Sequence, residues 1–559
     1  MKTAKQILLA KPSMAGLTGA AGGYMAALTP SLLPHKLMFL LLLTALGSLT
    51  GYAIGATLAW AAAKVLPSPK VRWVRAFRFV IPVVVWLAAL VFTPVAVSWQ
   101  IEQQTALDMP ATLPSTVFLI VLTAVITAIL LFVGRLVRVA TNGIAGLIGR
   151  IGPLQRWKAG ATERGSSRPT LVMRLVTALA LIVIAFLGVR VGLSLLISSY
   201  DRVNADSSGQ SPTNLGVNSG SAGSLTPWDT LGREGRFYVG NTMTPDKITA
   251  ITGQPAQTPV RVYVGMQQAD TPEARTELAL KELDRVKAWE RPYLVIYAVT
   301  GTGWVNPDGI NSLETVTGGD VTTVAVQYSA VPSWIGFVVD QNTTMVQNRD
   351  TVNAIVNAWK AKPADSRPEL ILFGESLGSF GSQAAWDASA TPEQVSSDIQ
   401  KVIWVGPPAE STLWKPWQAG RTAGPAWQPV IGDGTIAHVY IGPEELRAEP
   451  GHPGPTISFV AHPNDPVVYW SPDLLLKKPD WLNPPLGPGV APQMQWFPVI
   501  TFLQVGMDLI SGGEPPEVGH NYAAGIGPAV ALTVNPPGWT PEQTAKLSAA
   551  LPGLMYVTG

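Results

Sequence analysis

The chain has 559 residues and no cysteine. That absence excludes disulfides, thiolate metal sites and a cysteine nucleophile, and it fits exposure to an oxidising exterior. Charge is also scarce. Only 14% of residues are Asp, Glu, Lys or Arg, and the net charge is +2, which removes any global electrostatic case for nucleic acid as a partner. Histidine is confined to His35, His438, His452, His462 and His520, so imidazole chemistry has few possible carriers. There is no HExxH pair, no phosphate-binding P-loop and no dinucleotide fingerprint. The expectation is therefore neither a metal nor a cofactor.

Apolar sequence is abundant, with a mean hydropathy of +0.24. Segments 14–33, 37–63, 79–99, 113–133 and 175–198 are each expected to span a bilayer. The connection between the second and third carries Lys64, Lys70, Arg72, Arg75 and Arg78. That between the fourth and fifth carries Arg135, Arg138, Arg150, Arg156, Lys158, Arg164 and Arg168. Residues 100–112 hold only Glu102 and Asp108 as charges. Basic loops stay inside, so the reading is a multi-pass protein of the cytoplasmic membrane, solvated by its lipids. Its amino terminus is cytoplasmic, and everything after Tyr200 is extracytoplasmic. Gly19 and Gly23 recur at four-residue spacing in the first segment, as do Gly47, Gly51 and Gly55 in the second. Such rows let helix backbones approach, either inside one bundle or between copies of a homo-oligomer. Arg190 sits within the fifth segment, where it either snorkels to the outer interface or lines a polar cavity.

Residues 201–224 are rich in Ser, Gly and Asn and read as a linker. From 225 to 559 the pattern becomes globular. Strands are expected at 236–239, 260–264, 293–299, 321–327, 369–373, 401–405 and 456–461, with helices at 271–288, 343–360 and 377–388. This alternation predicts a mostly parallel sheet with helices on both faces.

Within it, an apolar run at 370–373 leads into Gly374-Glu375-Ser376-Leu377-Gly378 and then into a small-residue helical run. Strand, G-x-S-x-G and helix form a sharp turn that thrusts the serine hydroxyl out at the strand's carboxyl end. The acid and the base should follow in that order. Asp465 lies just beyond the strand at 456–461, with Asp433 and Asp473 as rivals. His520 lies on a loop after the apolar stretch 499–510. His462 is too near Asp465 in the chain to be the base. Oxyanion donors are expected from the Leu377 backbone N–H and from Thr302, in the loop Thr300-Gly301-Thr302-Gly303-Trp304. The long connection 406–455 contains Trp414, Trp417 and Trp427. It is either a lid that lines an acyl site or touches the bilayer, or plain packing.

Six stretches together resemble a known family. They are Pro227-Trp228-Asp229 with Leu231-Gly232-Arg233-Glu234-Gly235-Arg236, the Thr300–Val305 run, Gln327-Tyr328-Ser329 with Pro332-Ser333-Trp334, the serine turn, HPNDPV at 462–467 and GHNY at 519–522. The chain thereby resembles the actinobacterial membrane-anchored α/β-hydrolases, alpha/beta-hydrolase family 9, in which a multi-span amino-terminal domain precedes a catalytic domain. Val299 stands where members of that family carry proline before the TGTGW run. With the five apolar segments, the expectation is a five-span helical membrane domain followed by an α/β-hydrolase domain, and the resemblance implies a serine hydrolase of the cell envelope. An acyl-Ser376 intermediate would pass its acyl group to water or to an alcohol. The expected substrate is an acyl ester, such as an envelope lipid. A peptidase or thioesterase on the same triad, or a non-catalytic module partnered with the membrane bundle, remains open at this level.

Overall fold

A computed structural model describes residues 4–65, 72–111, 115–148, 150–155, 168–207, 210–211, 215–339, 341–446, 454–513 and 517–554. Lys70, Arg156, Lys158, Arg164 and His452 lie outside that set. The amino-terminal bundle contains α1 (Met14–Leu28), α2 (Leu37–Val65), α3 (Arg72–Ala106), α4 (Thr116–Ile148) and α5 (Arg168–Ala205).

Among the described residues four helices, not the expected five, are long and apolar enough to cross a membrane, and these are α2 to α5. Helix α1 has 15 residues and measures about 22 Å at 1.5 Å per residue, against a hydrocarbon core of about 30 Å. Pro30 and Pro34 are the reason, because neither can donate the N–H that would continue the helix. The remainder of the first predicted span, 29–33, is non-helical and buried against the second domain. The glycine rows of α1 and α2 meet within the chain. A Cβ on Gly23 would lie 2.0 Å from the Gly47 carbonyl oxygen, and one on Gly19 would lie 2.1 Å from that of Gly51. Arg190 is exposed on α5, pointing away from the bundle interior.

The described part of the expected linker is structured. Ser219 N–H donates to the Arg261 carbonyl at 3.0 Å, and Arg261 N–H donates to Asn218 Oδ1 at 2.9 Å. The strand expected at 236–239 is instead part of a helix, Gly232–Gly240. A four-residue apolar run carries too little periodicity to separate the two. Here packing decides for the helix, with Gly235 laid so closely on Tyr263 that a Cβ would lie 2.5 Å from the ring.

Seven strands form one sheet: β1 (Val260–Val264), β2 (Tyr293–Ala298), β3 (Val321–Val326), β4 (Glu369–Glu375), β5 (Lys401–Val405), β6 (Ala437–Tyr440) and β7 (Ile457–Val460). Their order is β1-β3-β2-β4-β5-β7-β6, and every pairing is parallel. Such strands are apolar on both faces because helices cover both, and one core cluster lies on each side of the sheet. Strand β6 lies inside the Pro- and Gly-rich connection 406–455, at the strand-like run around His438. Trp414 and Trp417 of that connection are core residues, with ring centroids 5.0 and 6.0 Å from Phe459. Packing, rather than a lid, is their role.

The chain runs from β2 outward to β3 and then returns to β4 on β2's other side. Loops leaving β2 and β4 therefore diverge, and a crevice opens between the carboxyl ends of these neighbours. Helix α6 (Leu377–Gln383) starts directly after β4, and α7 (Ile500–Ser511) lies later in the chain, before the loop that carries His520.

Candidate active site

Ser376 stands alone between β4 and α6 with φ +52° and ψ −119°, a conformation that non-glycine residues hold only where the surroundings enforce it. Here two close approaches do so. A Cβ on Gly374 would lie 2.8 Å from the Gly378 carbonyl, and one on Gly378 would lie 2.0 Å from the Ala298 carbonyl oxygen at the end of β2. The Ser376 N–H donates to the Val405 carbonyl at 2.8 Å, tying the turn to β5. Ser376 itself is half-buried.

Asp465 is fully buried just beyond β7, where it caps the short helix Pro466–Tyr469. Its Oδ1 accepts the Val467 N–H at 2.8 Å. Its Oδ2 accepts His520 Nδ1–H at 2.7 Å and the Tyr522 hydroxyl at 2.6 Å. The Nδ1 bond fixes the neutral tautomer, leaving the Nε2 lone pair free to act as a base. The His520 ring is 19% exposed and lies over Gly406, where a Cβ would come within 2.7 Å of Cε1. Gly406 follows Val405, whose carbonyl holds the Ser376 N–H. The serine and the histidine are thus brought to the carboxyl ends of the adjacent strands β4 and β5, at the crevice set by the topology.

The electrostatics favour a protonatable histidine. Burial alone would lower the His520 pKa, but the charge and hydrogen bond of Asp465, helped by the Glu375 charge, outweigh it and raise the pKa. Glu375 is buried. Burial pushes its carboxyl up, against an Asn306 Nδ2–H bond of 2.8 Å and the His520 charge, while Asp308 pushes it further up. General-base catalysis needs neutral His520. Its rate should therefore rise with pH through a midpoint above the ordinary histidine value of 6.5 and then level off. Glu375→Gln removes a charge that favours the imidazolium, so the midpoint should move to lower pH. A pH profile of the acylation rate checks this, and an unmoved midpoint would remove Glu375 from the site's electrostatics.

Other histidines and carboxylates fall elsewhere. His462 is buried, and that burial holds its pKa down. It donates from Nδ1 to the Gly519 carbonyl at 2.8 Å and stacks on Tyr522 at 4.2 Å, so it braces the His520 loop. His438 is exposed on β6. Asp433 occupies an exposed turn, bonded to Thr435, and Asp473 is exposed as well.

The loop after β2 is held by its own turn. Thr300 N–H donates to the Trp304 carbonyl and Gly303 N–H to that of Thr300, while Gly301 N–H donates to Ser333 Oγ at 3.2 Å. The Thr302 carbonyl accepts Gln327 Nε2–H at 2.7 Å, and among the described residues no hydrogen bond is made by the Thr302 N–H. Leu377 opens α6, and a first-turn N–H has no acceptor within its own helix. Both expected donors are therefore unengaged.

Glu375, Asn306 and Tyr522 were given no role in the sequence reading. Tyr522 had a signal, since it lies two residues from His520 in the GHNY run. Asn306 reaches the site only because β2 and β4 are neighbours, which no local pattern reveals.

The sequence profile of the alpha/beta-hydrolase family matches residues 260–547, and the profile of the alpha/beta-hydrolase family N-terminus matches residues 28–242. No curated protein matches. No solved structure matches.

Proposed function

Because the chain belongs to the alpha/beta-hydrolase family, we propose that it is a membrane-anchored serine hydrolase or acyltransferase whose substrate is an acyl ester of an envelope lipid. The observation that carries the reading is the Asp465–His520 pair set beside a strained, half-buried serine. In the first step Ser376 Oγ attacks the ester carbonyl while His520 Nε2 takes its proton. The oxyanion that develops accepts hydrogen bonds from the N–H groups of Leu377 and Thr302. Collapse expels the alcohol, which receives the proton from Nε2, and leaves acyl-Ser376. Water or a second alcohol then enters by the reverse sequence, again with His520 as base. The Asp465 carboxylate, bonded to Nδ1, stabilises the imidazolium.

A lipid substrate is supported by where the site lies. The His520 loop abuts the chain segment that joins α1 to α2, with the Leu33 side chain packed on Gly519. The crevice is thus beside the ends of the membrane helices, within reach of an ester at the bilayer surface. The distribution of basic residues supports placing that surface on the extracytoplasmic side.

One experiment tests nucleophile and sidedness together. A charged, membrane-impermeant fluorophosphonate should label the wild type in intact cells, and Ser376→Ala should remain unlabelled. Labelling that survives in Ser376→Ala removes the nucleophile assignment, and labelling only after lysis reverses the topology. Release of acyl groups from lipid vesicles by the purified wild type supports the lipid substrate. Cleavage of peptides with no effect on lipids turns the reading to a peptidase.

A further inference from the structure

We propose that the membrane domain is a positioning element of the catalytic site, acting through the 29–35 segment and Asp508 to hold the loop that carries His520. The inference rests on the hydrolase reading above and adds to it a dependence of the site on the bundle.

The segment is built as a plug. Thr29, Ser31, Leu32, Leu33 and His35 are all buried, and Leu32 belongs to the core cluster of the catalytic domain rather than to that of the bundle. Helix α3 grips it from the membrane side. Gln103 Nε2–H donates to the Ser31 carbonyl at 2.9 Å, and the His35 N–H donates to Gln100 Oε1 at 3.3 Å. Helix α7 grips it from the catalytic side. Asp508, fully buried, accepts the Ser31 hydroxyl at 2.5 Å and the Leu33 N–H at 3.4 Å on Oδ2, and its Oδ1 lies 2.9 Å from His35 Nε2. Gln504, one turn earlier on α7, donates Nε2–H to the Thr29 carbonyl at 2.8 Å.

From Asp508 the path to the base is one helical turn. Helix α7 ends at Ser511, and the Gly512 carbonyl accepts the His520 N–H at 2.7 Å. A Cβ on Gly512 would lie 3.2 Å from His520 Cβ, so the end of α7 and the base are in contact. Leu33 meets the same loop directly. A Cβ on Gly519, whose φ is +61°, would lie 3.3 Å from both Leu33 methyls. The acid's side is supported too, because Gly519 N–H donates to Asn464 Oδ1 at 3.1 Å, next to Asp465. His35 Nδ1, Gln100 Nε2 and Gln103 Oε1 have no hydrogen-bond partner among the described residues, so the bonds that the junction does make are the ones that hold it, and losing one in so buried a place is costly. The junction therefore has one preferred seating, and His520 inherits it.

Catalytic groups tolerate misplacement of only about 0.5 Å before rate is lost. Leu33→Ala removes the methyls against Gly519, and Asp508→Asn weakens the grip on the segment. With the full chain in lipid nanodiscs and a short, soluble activated ester, each should lower kcat about tenfold or more while KM changes by less than about twofold. Leu33→Met, which refills the volume, should restore kcat. Should Asp508→Asn fail to fold, the Leu33 pair carries the test. The proposal is overturned if folded Leu33→Ala turns over at the wild-type rate, if KM moves in place of kcat, or if Leu33→Met does no better than Leu33→Ala. Failure of the hydrolase reading looks different, since the wild type itself would then neither turn over the ester nor be labelled at Ser376.

Discussion

Asp465→Asn should lower single-turnover acylation by about four orders of magnitude, as loss of the carboxylate does in serine-protease triads. The reason is a donor–acceptor inversion. In the wild type Oδ2 accepts two protons, from His520 Nδ1 and from the Tyr522 hydroxyl. An amide keeps the shape but offers one acceptor and one donor. If its NH2 faces His520, Nδ1 must accept and Nε2 must carry the hydrogen, so no lone pair remains for the serine proton. The charge that stabilises the imidazolium is lost as well. Binding of an activated ester should be nearly unchanged, because Asp465 is fully buried and meets no substrate. Asp433→Asn is the control. On an exposed turn it should change the rate by less than about threefold. His462→Gln should give an intermediate loss, since it braces the loop without holding the base. Near-normal acylation by Asp465→Asn would break the assignment of the acid.

Gly378→Ala should cost acylation about a hundredfold and lower the melting temperature. Its Cβ would lie 2.0 Å from the Ala298 carbonyl oxygen, and ordinary contact needs more than an ångström beyond that. Backbone stands on both sides, so no side chain can rotate out of the way. Either α6 or the end of β2 must move. Each carries one of the two proposed oxyanion donors, Leu377 N–H on α6 and Thr302 N–H on the loop after β2, so the movement would part the two. A misplacement of about 1 Å costs about 10²-fold, and overpacking of this kind about 1–3 kcal/mol. Gly336→Ala is the matched control, since its nearest neighbour, a Leu377 methyl, would lie at 3.6 Å. Wild-type acylation by folded Gly378→Ala would show that the donors are not where the close approach places them.

What the sequence revealed followed the range of each signal. Ser376 was legible because strand, glycines and helix lie within a dozen residues. Asp465 and His520 were legible because the order of the partners and the shortage of histidines left few choices. Six of the seven expected strands survive, with changes of at most two residues at their ends, since buried parallel strands are continuous apolar runs. Strand β6 shows in the sequence only as a short strand-like run around His438 between Gly- and Pro-containing turns, and its pairing with β7 makes it a strand of the sheet. The first span was drawn too long because hydropathy reads Leu32 and Leu33 as lipid-facing, whereas both are buried in the protein. Asp508 gave no signal at all, because its partners Ser31 and His35 lie more than 470 residues earlier.

That separation bears on how the molecule comes into being. Leu32 fills a place in the core of a domain whose last helices are synthesised hundreds of residues later, and contacts so distant along the chain form slowly. During that interval the socket for Leu32 is open and apolar, in the same way as an unpaired subunit interface. A catalytic domain produced without residues 29–36 would carry that opening permanently. It should emerge as a sticky, aggregating species, not as a soluble miniature of the whole. On that expectation the bundle would act in maturation as a folding template as much as an anchor.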